Sequence, residues 1–191
     1  MTTILGINGS PRIGGNTDLL LDKALAGAAE AGARTEKIML NELLFRACQE
    51  CEIMSDDGTC LVRDQLQPVY QKVFASQGII LASPIFFGSV SAQLKMLIDR
   101  YQCAWRAKYL LHKNPFKEPK YGAFISVEAS QREDFFANAR AVVRNFFAVI
   151  GADCRWELTA GGLEEKGSVL NHPELLQKAF EIGRELAAAA K

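Results

Sequence analysis

Short continuous apolar runs alternate with longer amphipathic segments along the whole chain, and that alternation limits the folds open to it. TILGI (3–7), ARTEKIML (33–40), GIILAS (78–83), YGAFISV (121–127) and ADCRWELTA (152–160) read as strands. NTDLLLDKALAGAAEAG (16–32), RDQLQPVYQKVFAS (63–76), VSAQLKMLIDRYQCAW (90–105), REDFFANARAVVRNFFAVIG (132–151) and PELLQKAFEIGRELAAAAK (173–191) read as helices. GIILAS has no polar alternation, as expected of a strand covered on both faces. Asn16 or Thr17 can cap the first helix, and Gly32 and Gly151 can end theirs. Pro68 and Pro173 fall in first turns, where a missing N–H costs little. Residues 41–63, polar and cysteine-bearing, show no clear period.

Strands each followed by a helix predict a three-layer, doubly wound α/β fold. The expected sheet is five-stranded and parallel, in the order 2-1-3-4-5. It would form a single domain over 1–191 with a Cys-bearing insertion at about 41–63. In such a sheet, ligands sit beyond the carboxyl ends of the strands, near the switch point between strands 1 and 3. The loops after strands 1, 3 and 4 should therefore converge.

Their contents point to one class of ligand. In NGSPRIGGNTDLLL (8–21), Ser10, Asn16 and Thr17 supply short polar groups, Gly14 and Gly15 let the backbone approach closely, and Arg12 can pair with a phosphate. The same stretch also reads as a capped helix after a Gly-rich turn. No G-x-x-x-x-G-K-[ST] or G-x-G-x-x-G occurs, which removes a nucleoside-triphosphate P-loop and leaves a dinucleotide fingerprint unsupported. In SPIFFGSVSAQLK (83–95), Phe86 and Phe87 stand where a surface loop usually carries no large apolar side chain. A planar ring lying on residues 84–88 accounts for them, and so does packing under the loop or across a subunit interface. SVEASQRED (126–134) can give a ring contact or only cap a helix. A phosphate on the first loop and a flat heterocycle against the other two is how a mononucleotide such as FMN would sit.

INGSPRIGGNT together with ASPIFFGSVSAQLKMLIDR resembles the NAD(P)H-dependent FMN reductase and iron–sulfur flavoprotein group of flavodoxin-like proteins. The likeness runs over nearly the whole chain. It implies that Ser10, Arg12, Asn16 and Thr17 hold the FMN phosphate, and that the ring lies against Pro84, Ile85, Phe86, Phe87, Gly88 and Ser89. Ser126, Val127, Glu128 and Ala129 match by position. The implied activity moves a hydride from NAD(P)H to FMN and passes electrons to a quinone, a free flavin or a redox protein. The alternative is an electron carrier with FMN and a cluster. The group also implies a homodimer or homotetramer whose partner residues roof the flavin.

CQECEIMSDDGTC places Cys48, Cys51 and Cys60 in a C-x2-C-x8-C spacing. In the iron–sulfur branch, four compact cysteines at this place ligate a [4Fe–4S] cluster. Here Met54 stands where the third would fall, and a thioether is a poor substitute for a thiolate. A cluster-free loop, a cluster completed by Cys103 or Cys154, and redox-active or zinc-bound thiols all remain open, with His112 and His172 as remote fourth ligands.

Lys95 and Asp99, four residues apart on one helix, read as a solvated pair. Phe135–Phe136 and Phe146–Phe147 read as core or interface. Trp105 and the loop to Lys120 can roof a flavin or pack across a dimer. The 22 basic and 22 acidic side chains balance, so neither nucleic acid nor an anionic membrane is an expected partner. No apolar stretch approaches the roughly 20 residues of a membrane span. The start, MTTILGINGS, has neither the basic nor the apolar region of a signal peptide. With an odd number of cysteines, five, this leads to an expected cytoplasmic location.

Overall fold

A computed structural model describes residues 1–51 and 55–191. Five parallel strands form its centre: β1 (Thr3–Asn8), β2 (Arg34–Met39), β3 (Gly78–Phe86), β5 (Lys120–Val127) and β6 (Ala152–Ala160), in the spatial order β2-β1-β3-β5-β6. A sixth strand, β4 (Ser89–Val90), folds back antiparallel on β3, pairing Ile85 with Val90 and Phe86 with Ser89. This corrects the expected five-stranded sheet of order 2-1-3-4-5. The parallel strands follow that succession, but β3 runs three residues past Ser83 and turns into a hairpin. Two residues are too few to show a period. The turn is made by Phe87 and Gly88, both with positive φ (49° and 73°), the backbone a two-residue hairpin favours.

Alternation along each strand fills two separate cores. On one face, Leu5, Ile7, Ile79, Leu81 and Phe124 pack against α2 (Gln67–Ala75), α3 (Ala92–Asp99) and α5 (Glu133–Ile150). On the other, Ile4, Ile80, Ala82, Ala123 and Ile125 meet α1 (Asn16–Glu30) and α6 (Pro173–Ala189). The α1–α6 pair is drawn together by two glycines: a Cβ on Gly27 would lie 1.9 Å from the Phe180 carbonyl oxygen, and one on Gly183 would lie 1.7 Å from that of Ala24. Either substitution forces the helices apart and opens the lower core.

Phe136, Phe146 and Phe147 are buried in the upper core, while Phe135 is half-buried beside Gly88. After α3, a short α4 (Gln102–Trp105) runs on into a wide turn at Arg106–Leu110. No helix among the described residues is long and apolar enough to cross a membrane.

Candidate functional site

The chain leaves β1 towards β2 on one side and continues from β3 to β5 and β6 on the other, so β1 and β3 flank the switch point. A cleft opens there at the carboxyl ends of the strands. Ser10, Arg12, Gly15, Asn16 and Thr17 line it from the first loop, Pro84, Ile85 and Phe86 from β3, and Val127, Glu128 and Ala129 from the end of β5. Leu163 and Glu164, from the loop after β6, complete it. Phe87, Gly88, Ser89 and Ser126 do not line this cleft.

The first loop is held from beneath. Asp18 is buried and accepts from the Gly14 amide (2.8 Å), Asn8 Nδ2 (2.8 Å) and Lys37 Nζ (2.9 Å). Asn8 Oδ1 in turn accepts from the Ser10 amide, and Ser10 Oγ from the Arg12 amide. Burial opposes ionisation of Asp18, but the Gly14 amide, Lys37 and Asn8 together outweigh it and hold the carboxyl below its ordinary value. These contacts arch the backbone over Asp18 and leave the start of α1 open. Its first internal bond runs from the Leu19 amide to the Gly15 carbonyl, and no side chain caps it. The amides of Asn16, Thr17 and Asp18 therefore stand at the positive end of the helix dipole.

The predicted phosphate ligands divide. Thr17 Oγ1 has no hydrogen-bond partner among the described residues, and the Arg12 guanidinium is exposed, touching only the Glu164 carbonyl (3.3 Å). Asn16 is spent elsewhere. Its amide nitrogen donates to the carbonyls of Leu163 (3.2 Å) and Glu165 (2.8 Å) and to Ser168 Oγ (3.2 Å), while its oxygen accepts from the Val169 amide (3.1 Å). Its side chain ties the loop after β6 to the start of α1, so it shapes the cleft from behind.

The β3 side is braced by serines. Ser91 caps α3 by accepting from the Leu94 amide, and it donates to the Gly9 carbonyl (2.7 Å). A Cβ on Gly9 would lie 2.8 Å from both Ser91 Oγ and Leu94 Cβ, so only glycine allows the two loops to meet this closely. Beyond them, Phe86 is 44% exposed and Phe87 fully so, and neither packs beneath its loop. Glu128, only 5% exposed, accepts from the Arg132 amide at the start of α5. Ser126 Oγ is buried without a partner among the described residues. Asn8, Asp18, Leu163 and Glu164 were not singled out by sequence reasoning. An acid in a helix's first turn is so common that Asp18 carries no signal, whereas the Gly161–Gly162 pair could have marked the last loop.

The cysteine segment lies away from this cleft, under the end of α3. Arg100, 1% exposed, spends its whole guanidinium there. It donates to Cys60 Sγ (3.1 Å), to the carbonyls of Arg46 (2.8 Å) and Val62 (3.0 Å), and to the Asp64 carboxylate (2.7 Å). A hydrogen bond from the Cys103 thiol, with the Arg100 cation, draws the Cys60 thiol down to about 5, and the same contact with burial pushes the Cys103 thiol up. Cys48 and Cys51 are half-buried, and Met54 lies outside the described residues. Lys95 and Asp99 form their expected exposed pair (2.8 Å), and Trp105 stacks loosely on Tyr109, away from the cleft.

A family model described as NADPH-dependent FMN reductase matches residues 2–152. An iron–sulfur flavoprotein of Methanocaldococcus jannaschii is 45% identical over 97 residues, 51% of this chain and 50% of that protein. One from Methanosarcina thermophila is 35% identical over 128 residues, 67% of this chain and 64% of that protein. The chain thus spans half the length of the first relative and under two thirds of the second. Among solved structures, a flavodoxin from the domain Archaea superposes with a TM-score of 0.62 at 11% identity, covering 99% of each chain. The fold is accordingly flavodoxin-like.

Proposed function

Because this chain belongs to the NADPH-dependent FMN reductase family, we propose that it binds FMN in the cleft between the β1, β3, β5 and β6 loops and works as a flavin-dependent oxidoreductase. NAD(P)H is the proposed hydride donor, and a quinone, a free flavin or a redox protein the acceptor. The residues present fit the cofactor. The observation that carries the reading is the open start of α1: uncapped first-turn amides, the unpartnered Thr17 hydroxyl and the exposed Arg12 guanidinium all stand at one end of the cleft. FMN, when bound, supplies hydride acceptance and onward electron transfer. The chain's own residues bind, orient and exclude water. The amides and Thr17 hold the phosphate without moving, because Asp18 has already set the loop. Pro84, Ile85 and Phe86 give one apolar wall, and Val127 and Ala129 close the other side. Leu163 excludes water from the cleft floor, positioned by the grip of Asn16 on its loop.

The relatives' names favour a second reading, an electron carrier with a cluster at the cysteine segment. The residues there do not fit a four-thiolate cage. Among the described residues no group of three or more His, Cys, Asp or Glu side chains could hold a metal ion, and Met54 replaces the third thiolate of the run.

The test is the absorption spectrum of anaerobically purified, FMN-reconstituted protein before and after NADPH, then NADH. Flavin bands that bleach with either nucleotide are expected. Bands that persist with both would leave the carrier, and failure to retain FMN would overturn the assignment.

A further inference from the structure

We propose that Glu128 sets the charge of the reduced cofactor: its buried carboxylate makes the flavin ring take up two protons with two electrons and stay neutral. This rests on FMN occupying the cleft and adds what one side chain there does. Glu128 stands between Val127 and Ala129, on the side of the cleft away from Pro84, Ile85 and Phe86. Its backbone is locked, the amide donating to the Ala160 carbonyl and the carbonyl accepting from the Leu163 amide. The side chain is 5% exposed, and Oε1 accepts from the Arg132 amide at the start of α5. Oε2 has no hydrogen-bond partner, and the carboxylate no ion pair, among the described residues.

The charged groups around it do not cancel it. From α5, the Arg132 guanidinium is exposed and spent on Asp134 (2.6 Å), and Glu133 pairs with Arg140. From the first loop, Arg12 is exposed and donates to the Glu164 carbonyl (3.3 Å). The loop after β6 adds only another acid, Glu164. An ionised carboxylate accepts hydrogen bonds and donates none. In a filled, water-poor cleft it welcomes a ring N–H and raises the cost of a second negative charge beside it.

The stoichiometry follows. FMN, NAD(P)H and one proton from solvent give FMNH2 and NAD(P)+. Without the carboxylate the solvent proton becomes dispensable, and FMN and NAD(P)H give FMNH− and NAD(P)+. Both reactions balance, and they differ by one proton per hydride.

The test titrates FMN-reconstituted full-length protein against a reference dye of known potential at pH 6, 7 and 8. In the wild type the equilibrium between oxidised and reduced bound FMN should shift a hundredfold per pH unit throughout, two protons per electron pair. In Glu128→Gln, whose amide oxygen can still accept from Arg132, the shift should fall to about tenfold per unit at the alkaline end. Bound FMN in that variant should be about tenfold easier to reduce at pH 8, about 30 mV for a two-electron couple, and unchanged at pH 6. Glu128→Asp, which keeps the charge, should restore the hundredfold dependence. Equal pH dependence in wild type and Glu128→Gln, or a tenfold dependence already in the wild type, would overturn the proposal. FMN lost from Glu128→Gln alone would also overturn it, by making Glu128 a residue that holds the cofactor. A wild type that never retains FMN, seen before any reduction, would overturn the cofactor reading and this inference with it.

Discussion

Two irregular stretches of this chain are held in opposite ways. The loop from Gly9 to Gly15 is fixed largely by neighbours: Asn8, Ser10 and Asp18 accept from three of its amides, all within ten residues, while Ala82, Ser91 and Glu164 also bond to it and Lys37 braces Asp18. The described residues between Leu43 and Asp64 are tied to Arg100, whose partners lie 36 to 54 residues earlier, and to Gln67, which donates to the Cys60 and Val62 carbonyls. A loop built from local bonds keeps its shape when the rest of the chain loosens. A segment tied to a buried cation far along the chain depends on the tertiary fold to keep that cation in place.

The largest effect should follow from removing that cation. Arg100→Met strips the Asp64 carboxylate of its buried cation and the Arg46 carbonyl of its donor. The expected loss is about 3–5 kcal/mol, the usual result of stripping one partner from a buried pair. Urea unfolding measures it. Limited proteolysis sharpens the contrast: cleavage should begin between residues 44 and 64 while FMN retention is largely kept. Cuts that start in the β1–α1 loop would break the comparison.

On the local side, Asp18→Asn should cost about 1.5–3 kcal/mol, since it weakens charge-assisted bonds to Gly14 and Lys37. It should also loosen FMN about tenfold, the equivalent of about 1.4 kcal/mol of lost preorganisation. The pH dependence has a definite sign. The folded Asp18 carboxyl lies below its ordinary value of 3.8, so its contribution is full above that value and is lost as pH falls through the lowered one. The stability gap between wild type and Asp18→Asn should be flat above about pH 4 and close in more acid solution. A gap that widens in acid would show that the carboxylate is not the braced group.

The same contrast explains what could be read beforehand. All five parallel strands were legible from their own residues, the inner three as apolar runs and the edge strands β2 and β6 as short mixed segments between helices. The cleft's position followed from strand order, and most of the residues named for it do line it. β4 was missed because two residues have no period. The 41–63 segment was unreadable because its organiser, Arg100, sits in a helix that looked self-sufficient. Asn16 was read as a phosphate ligand because its residue type suits both tasks, and only the position of the 163–169 loop reveals which one its side chain performs.

Asn16→Ala tests that reassignment with a smaller effect. Four hydrogen bonds to the loop after β6 disappear, at a net cost of about 1–2 kcal/mol. Hydrogen exchange should quicken at 163–169 even without FMN. If exchange there is unchanged and only FMN affinity falls, Asn16 acts on the ligand directly.

Phe87 gives the smallest effect on stability and the cleanest separation of fold from function. Its φ of 49° is unusual for a bulky residue and its ring is fully exposed, so neither backbone nor side chain gains anything from the chain that holds it. Strain kept at a hairpin tip beside a cleft is expected where the side chain serves something outside the fold. Phe87→Gly relieves the backbone while keeping the turn, so the urea midpoint should stay or rise, by no more than about 1 kcal/mol. NADPH-dependent bleaching of bound FMN should slow in the same variant. A loss of stability with unchanged bleaching would mean that the ring packs against something in solution that supports the fold, and the tip would then belong with the long-range half of the molecule.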